Sequence, residues 1–217
     1  MKLFDILFES GLSRVQEFIA DHDCATITAF RGDPKDDSLC AVAPPKLEGI
    51  ENLGTRRINL TRNKMLKMLL MNAGYGVTAV EGAYIENFKA PNEKQVTENS
   101  FFVVNLNDDP SFFDKIIEFG KMFCQDSVML IPQGGESPYL YGTNKSDYPG
   151  LDKEIRFKDI KFGEKSEFMT KVRKRPFTAP PLEESRSLET FKKCSINAKR
   201  YITLCVETFN RTRKIVP

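Results

Sequence analysis

The chain has 217 residues, with 32 Lys and Arg against 30 Asp and Glu, a formal net charge of +2, and 41% hydrophobic residues. This is globular composition, which excludes a wholly disordered or fibrous chain, and no apolar run approaches the roughly 20 residues that span a bilayer. The single histidine, His22, removes His-pair metal sites.

Five cysteines occur, Cys24, Cys40, Cys124, Cys194 and Cys205. Odd in number and without Cys-x-x-Cys spacing, they predict reduced, mostly buried thiols of a cytosolic protein. Charge is segregated: residues 171–217 hold 12 basic and 4 acidic side chains. That arrangement predicts a basic tail able to meet an acidic surface or polyanion.

Residues 1–22 read as an amphipathic helix, with Phe4, Leu7, Phe8, Leu12, Val15, Phe18 and Ile19 at steps of three and four. Gly11 interrupts the pattern, and Ser13 resembles the start of a capping box. The β-branched run 25–30 predicts a strand. Pro- and Gly-punctuated residues 31–59 predict a long loop. Residues 60–73 predict a helix capped by Asn59 or Thr61 and closed by Gly74. Residues 75–86 and 101–104 predict strands, with Gly82 a bend or bulge.

Asp109-Pro110 predicts the start of a second helix, whose Gly120 implies close approach to the sheet. Strands at 127–131 and 139–141 flank a Gly134-Gly135 turn, which lacks the spacing of a phosphate loop. The order β-α-β-β-α-β-β over 25–142 predicts an α+β fold, a split β-α-β (ferredoxin-like) sandwich. The expected layout is an N-terminal helix (1–22), a core domain (23–142), an irregular Pro-containing extension (143–184) and a C-terminal amphipathic helix (185–217). That last helix carries apolar residues at heptad spacing and predicts contact with a protein partner or a second copy.

Several motifs together resemble a known group. Thr28-Ala29-Phe30-Arg31-Gly32, Arg62-Asn63-Lys64, Ala73-Gly74-Tyr75-Gly76, Glu81-Gly82-Ala83-Tyr84-Ile85-Glu86, Glu98-Asn99-Ser100-Phe101 and Gln125-Asp126-Ser127 resemble a domain of unknown function shared by bacterial and tailed-phage proteins. The resemblance covers about residues 25–142 and implies no established activity. The first ten residues resemble a phage capsid-targeting peptide, and Leu7-Phe8-Glu9-Ser10 resembles a prohead-protease site with cleavage between Glu9 and Ser10. Against cleavage stands a plain helix packed on the domain.

Two constellations are candidate sites. Arg31, Arg62, Asn63, Glu81, Glu86, Glu98, Ser100, Gln125 and Asp126 fall at predicted strand and helix ends. There the two arginines can clamp a phosphate or carboxylate. The glutamates can hold magnesium or serve acid–base chemistry; otherwise the group is caps, turns and surface ion pairs. Lys171, Arg173, Lys174 and Arg175, with Phe177, form a basic run that can bind nucleic-acid phosphates or an acidic partner; otherwise it is a solvated linker.

The leading expectation is a non-enzymatic, virion- or capsid-associated protein of the host cytoplasm or the particle, without a cofactor and without membrane contact. The alternatives are an enzyme or binding module for a phosphorylated, nucleotide-like ligand, with magnesium only in that case, or a nucleic-acid-binding protein acting through the tail.

Overall fold

A computed structural model describes residues 12–45, 52–86, 94–147, 149–162, 168–172 and 175–178. Helix α1 (Leu12–Asp21) leads into strand β1 (Cys24–Ile27), and α2 (Thr55–Asn72) follows the loop. Next come β2 (Gly76–Glu86), β3 (Lys94–Val104), α3 (Phe112–Met122) and β4 (Ser127–Ile131). Strands β5 (Tyr139–Gly142), β6 (Glu154–Arg156), β7 (Lys161–Phe162), β8 (Phe168–Val172) and β9 (Arg175–Thr178) complete the order. All nine strands join one sheet in the order β6-β5-β4-β1-β3-β2-β8-β9-β7, and every pairing is antiparallel.

This overturns the expected ferredoxin-like sandwich. The molecule is a mostly antiparallel, curled half-barrel with helices against it. The sheet extends at both margins into segments read as irregular, because 154–178 supplies β6 to β9. Those strands are only two to five residues long, too short for apolar alternation to flag them. The expected C-terminal helix and the N-terminal ten residues lie outside the described residues.

Alternation along the strands divides the core. On one face Ala25, Ile27, Phe101, Val103, Val128 and Leu130 meet Leu66 and Leu70 of α2 and Phe112 and Ile116 of α3. On the other, Cys24, Val80, Phe102, Val104, Ile131 and Phe177 meet Val15 and Ile19, one turn apart on α1. Each fully buried aliphatic or Phe side chain contributes about 1.5–3 kcal/mol relative to exposure. Gly120 brings α3 onto the sheet as expected: a Cβ there would lie 2.8 Å from both Thr143 Cγ2 and Val128 Cγ1.

Two local expectations are corrected. Helix α2 starts at Thr55 behind Gly54, with no side-chain cap. Asn59, read as its cap, is buried inside the helix, where it serves the loop instead. The thiols are not all reduced: Cys40 and Cys124 form a disulfide across 84 residues, while Cys24 is free and buried. Spacing carried no hint of that pair, since only the tertiary fold brings the two residues together. Among the described residues no helix is long and apolar enough to cross a membrane.

Candidate active site

The long β2–β3 ladder places Gly82 opposite Glu98 and Val80 opposite Ser100. Alternation puts Glu98 and Ser100 on the face of Val80, Phe102 and Phe177. This row therefore runs from an apolar floor into a polar margin. Ser100 is buried at 6% exposure. A Cβ on Gly82 would lie 2.8 Å from Ser100 Oγ and 3.2 Å from Glu98 Cγ. The missing side chain is thus the room in which the Glu98 carboxyl rests. Gly82, read as a bend, pairs in register within the ladder.

Burial pushes the Glu98 carboxyl up to about 7, and the negative charge of Asp126 adds to the shift. Both causes penalise the carboxylate: one removes water, the other adds like charge. A carboxyl poised near neutrality can take or release a proton, or ionise to meet a cation.

Asp126 belongs to a buried polar hub at the end of α3. Its Oδ1 accepts a hydrogen bond from Asn144 Nδ2 at 2.6 Å, and Asn144 Nδ2 also reaches the Cys124 carbonyl at 3.4 Å. Thr143 Oγ1 donates to the Gln125 carbonyl at 2.6 Å. Gln125 Nε2 donates to the Phe123 carbonyl at 3.1 Å. Buried peptide groups must find such partners, and here nearly every residue from 123 to 126 does.

Helix α2 ties the hub to the end of β1. Arg62 is 3% exposed; its Nε donates to the Ala29 carbonyl at 2.9 Å and its Nη2 to the Phe123 carbonyl. Its guanidinium lies 5.6 Å from the Phe123 ring centroid. Burial, then the charge of Arg31, lowers it to about 10. Asn63 Oδ1 accepts from the Ala29 amide at 2.8 Å, and its Nδ2 donates to the Asn99 carbonyl at 3.2 Å. Asn59 bonds both backbone groups of Arg31, at 3.1 and 2.8 Å. Arg62 and Asn63 are therefore committed to backbone rather than held out toward an anion.

The structure separates other residues that the sequence grouped. Glu81 is exposed and, one residue from Gly82, projects from the opposite face to Glu98. The side chain of Glu86 lies outside the described residues. Arg31 turns its Nη1 to the Asp36 carbonyl and to Cys40 Sγ, the latter at 3.7 Å. Lys171 pairs across from Glu81 in β8. Phe177, read as a base-stacking residue, is 2% exposed and packs edge-on against Phe102, with centroids 5.9 Å apart. Arg173, Lys174 and the Arg175 side chain lie outside the described residues, as do Glu9 and Ser10. Among the described residues no three His, Cys, Asp or Glu side chains gather as a metal set. Sequence reading missed Thr143 and Asn144, whose only signal was a polar pair just after a strand, and it missed the space that Gly82 leaves.

The model of the S-Adenosylmethionine lyase family matches residues 51–193, more than half of the chain. The chain belongs to this family. The matched stretch contains α2, Gly82, Glu98, Ser100 and the hub. No curated protein matches the chain significantly. Membership in a named enzyme family overturns the resemblance to a phage domain of unknown function and the reading as a non-enzymatic, capsid-associated protein. The alternative of a small-ligand enzyme stands nearer, but with a different ligand. The motifs that carry that resemblance are mostly bonded to backbone in the folded chain. The Arg62-Asn63 pair on α2 and Thr28-Ala29 just after β1 tie backbone segments together.

Proposed function

We propose that the chain is a lyase acting on S-adenosylmethionine, breaking a sulfonium carbon–sulfur bond without water. The single observation that carries the reading is the family match over residues 51–193. The Glu98 row supports it on physical grounds. A sulfonium is a fixed cation and a neutral thioether is its leaving group, so the reaction dissipates positive charge. Apolar surroundings such as Val80 and Phe102 favour that loss, because they solvate the cation less well than water does. Glu98 supplies the compensating charge at the rim. Its carboxyl, held up to about 7 by burial, ionises more readily once a cation arrives.

In this reading Glu98 meets the cationic part of the substrate, Ser100 lines the same wall, and Asp126 acts on Glu98 through its charge. The substrate's own carboxylate can displace the thioether, or a base can remove a proton in an elimination; both routes are lyase chemistry and neither consumes water. Carbon–sulfur cleavage by purified wild type and Glu98→Gln, followed by chromatography of substrate and thioether, tests the assignment. The expected result is turnover by wild type and a loss of about 100-fold or more in the variant. Equal turnover by both removes Glu98 from the site.

A further inference from the structure

The disulfide joins two parts of the chain that are held very unequally. Cys124 sits in the hub, where Arg62, Asn144, Thr143 and Gln125 fix the surrounding backbone. Cys40 sits on the 31–45 loop. Among the described residues, Lys145 N donates to the Leu39 carbonyl at 2.8 Å and the adjoining Cys40–Asn144 bridge joins the loop to the body. Within the loop, Lys35 N bonds Asp33 Oδ1 and Ser38 N bonds Asp36 Oδ1, both at 2.9 Å, and Cys40 N bonds the Asp37 carbonyl at 3.0 Å. Leu39 and Val42 are exposed at 39% and 47%, so little apolar burial holds the loop down. Cys40 also precedes the family-matched residues, whereas Cys124 lies within them. The bond thus ties the loop ahead of the matched stretch to a residue within it.

The bond's surroundings suit exchange. Cys40 is the more exposed partner, at 9% against 0% for Cys124, so an external thiolate reaches its sulfur first. The Arg31 guanidinium beside Cys40 Sγ stabilises a thiolate there.

We propose that the Cys40–Cys124 bond is a redox clip, which a dithiol reductant opens to release the 31–45 loop, with the Arg31 side chain, from the hub while the sheet stays folded. One thiolate of the dithiol attacks Cys40 Sγ and expels the Cys124 thiolate, which takes a proton. The second thiol then attacks the dithiol's own sulfur in the mixed disulfide and expels Cys40. Two electrons and two protons pass to the protein, and the dithiol leaves as its cyclic disulfide. The proposal is independent of the lyase reading.

The test is peptide-resolved hydrogen exchange and thiol alkylation of the full chain, with and without dithiothreitol. Without reductant, Cys40 and Cys124 should resist alkylation; with it, both should label. Exchange should then rise at least tenfold across 31–45 while β1, β3 and β4 stay protected. Cys40→Ser should show the fast-exchanging loop in both conditions. Labelling of both thiols without reductant overturns the proposal, as does an unchanged loop after reduction. A rise spread over β1, β3 and β4 also overturns it, because the bond would then hold the whole fold. Should Cys40→Ser not fold, the reductant series on wild type decides alone.

Discussion

Replacing Glu98 by Gln removes the charge and keeps the shape, so its effect on stability can be worked from the site. The carboxyl moves from 4.5 to about 7 on folding. Because the folded value is the higher one, the native state binds the proton more tightly. Stability is therefore highest below about 4.5, where both states are protonated, and falls as pH rises through about 7. Complete desolvation would make this penalty roughly 3 kcal/mol. The residue keeps some accessible surface although its carboxyl is strongly desolvated, and the open surface argues for about 2 kcal/mol.

Gln carries no such penalty. Glu98→Gln should therefore unfold about 4–8 °C above wild type at pH 8.5, at roughly 2–4 °C per kcal/mol for a chain of this size. At pH 5 the two should nearly coincide. Thermal unfolding followed by circular dichroism between pH 5 and 8.5 measures the difference. A gap that does not change with pH, or a variant less stable than wild type at pH 8.5, would refute the reasoning that Glu98 is a desolvated carboxyl.

Gly82→Ala puts a methyl 2.8 Å from Ser100 Oγ and 3.2 Å from Glu98 Cγ. It should push Glu98 outward and bring its titration, read by carbon-13 NMR of the carboxyl, back toward the ordinary value near 4.5, whereas an unmoved titration would show that the space is not needed. Arg62→Met leaves the Ala29 and Phe123 carbonyls without their donor and should cost about 2–4 kcal/mol in urea unfolding; a neutral result would show that the guanidinium is not structural. Phe112→Ala empties a fully buried position between α3 and the sheet and should cost about 3–5 kcal/mol, a larger loss than that from Met68→Ala, whose side chain is 63% exposed. Reducing the disulfide removes an 84-residue constraint and should lower unfolding stability by up to about 4 kcal/mol while leaving the far-ultraviolet spectrum at 25 °C unchanged.

The sequence is most legible where apolar periodicity is strong. Leu66 and Leu70 mark the buried side of α2, Ile116 that of α3, and Val128 and Leu130 the inward side of β4, as their spacing predicts. It is least legible in the polar half of β3. Residues 94–100 pair with β2 through Glu86↔Lys94 to Val80↔Ser100, yet Lys94, Gln95, Thr97, Glu98 and Asn99 offer little apolar signal, and it is here that Glu98 sits. Strands β6 to β9 hide because each is only two to five residues long. Arg62 and Asn63 stand out in sequence as chemistry because polar residues in a helix usually face water. Only packing shows that they face inward to satisfy Ala29, Asn99 and Phe123. The disulfide depends on a contact across 84 residues, which local spacing cannot express.

The central claim, water-free cleavage of S-adenosylmethionine, is tested most directly by incubating the purified protein with that substrate in oxygen-18 water and following the first turnovers by mass spectrometry. The account predicts that substrate falls as a neutral thioether rises, with no heavy oxygen on the carbon released from sulfur. Heavy oxygen on that carbon, or substrate that persists unchanged beside folded protein, would contradict it.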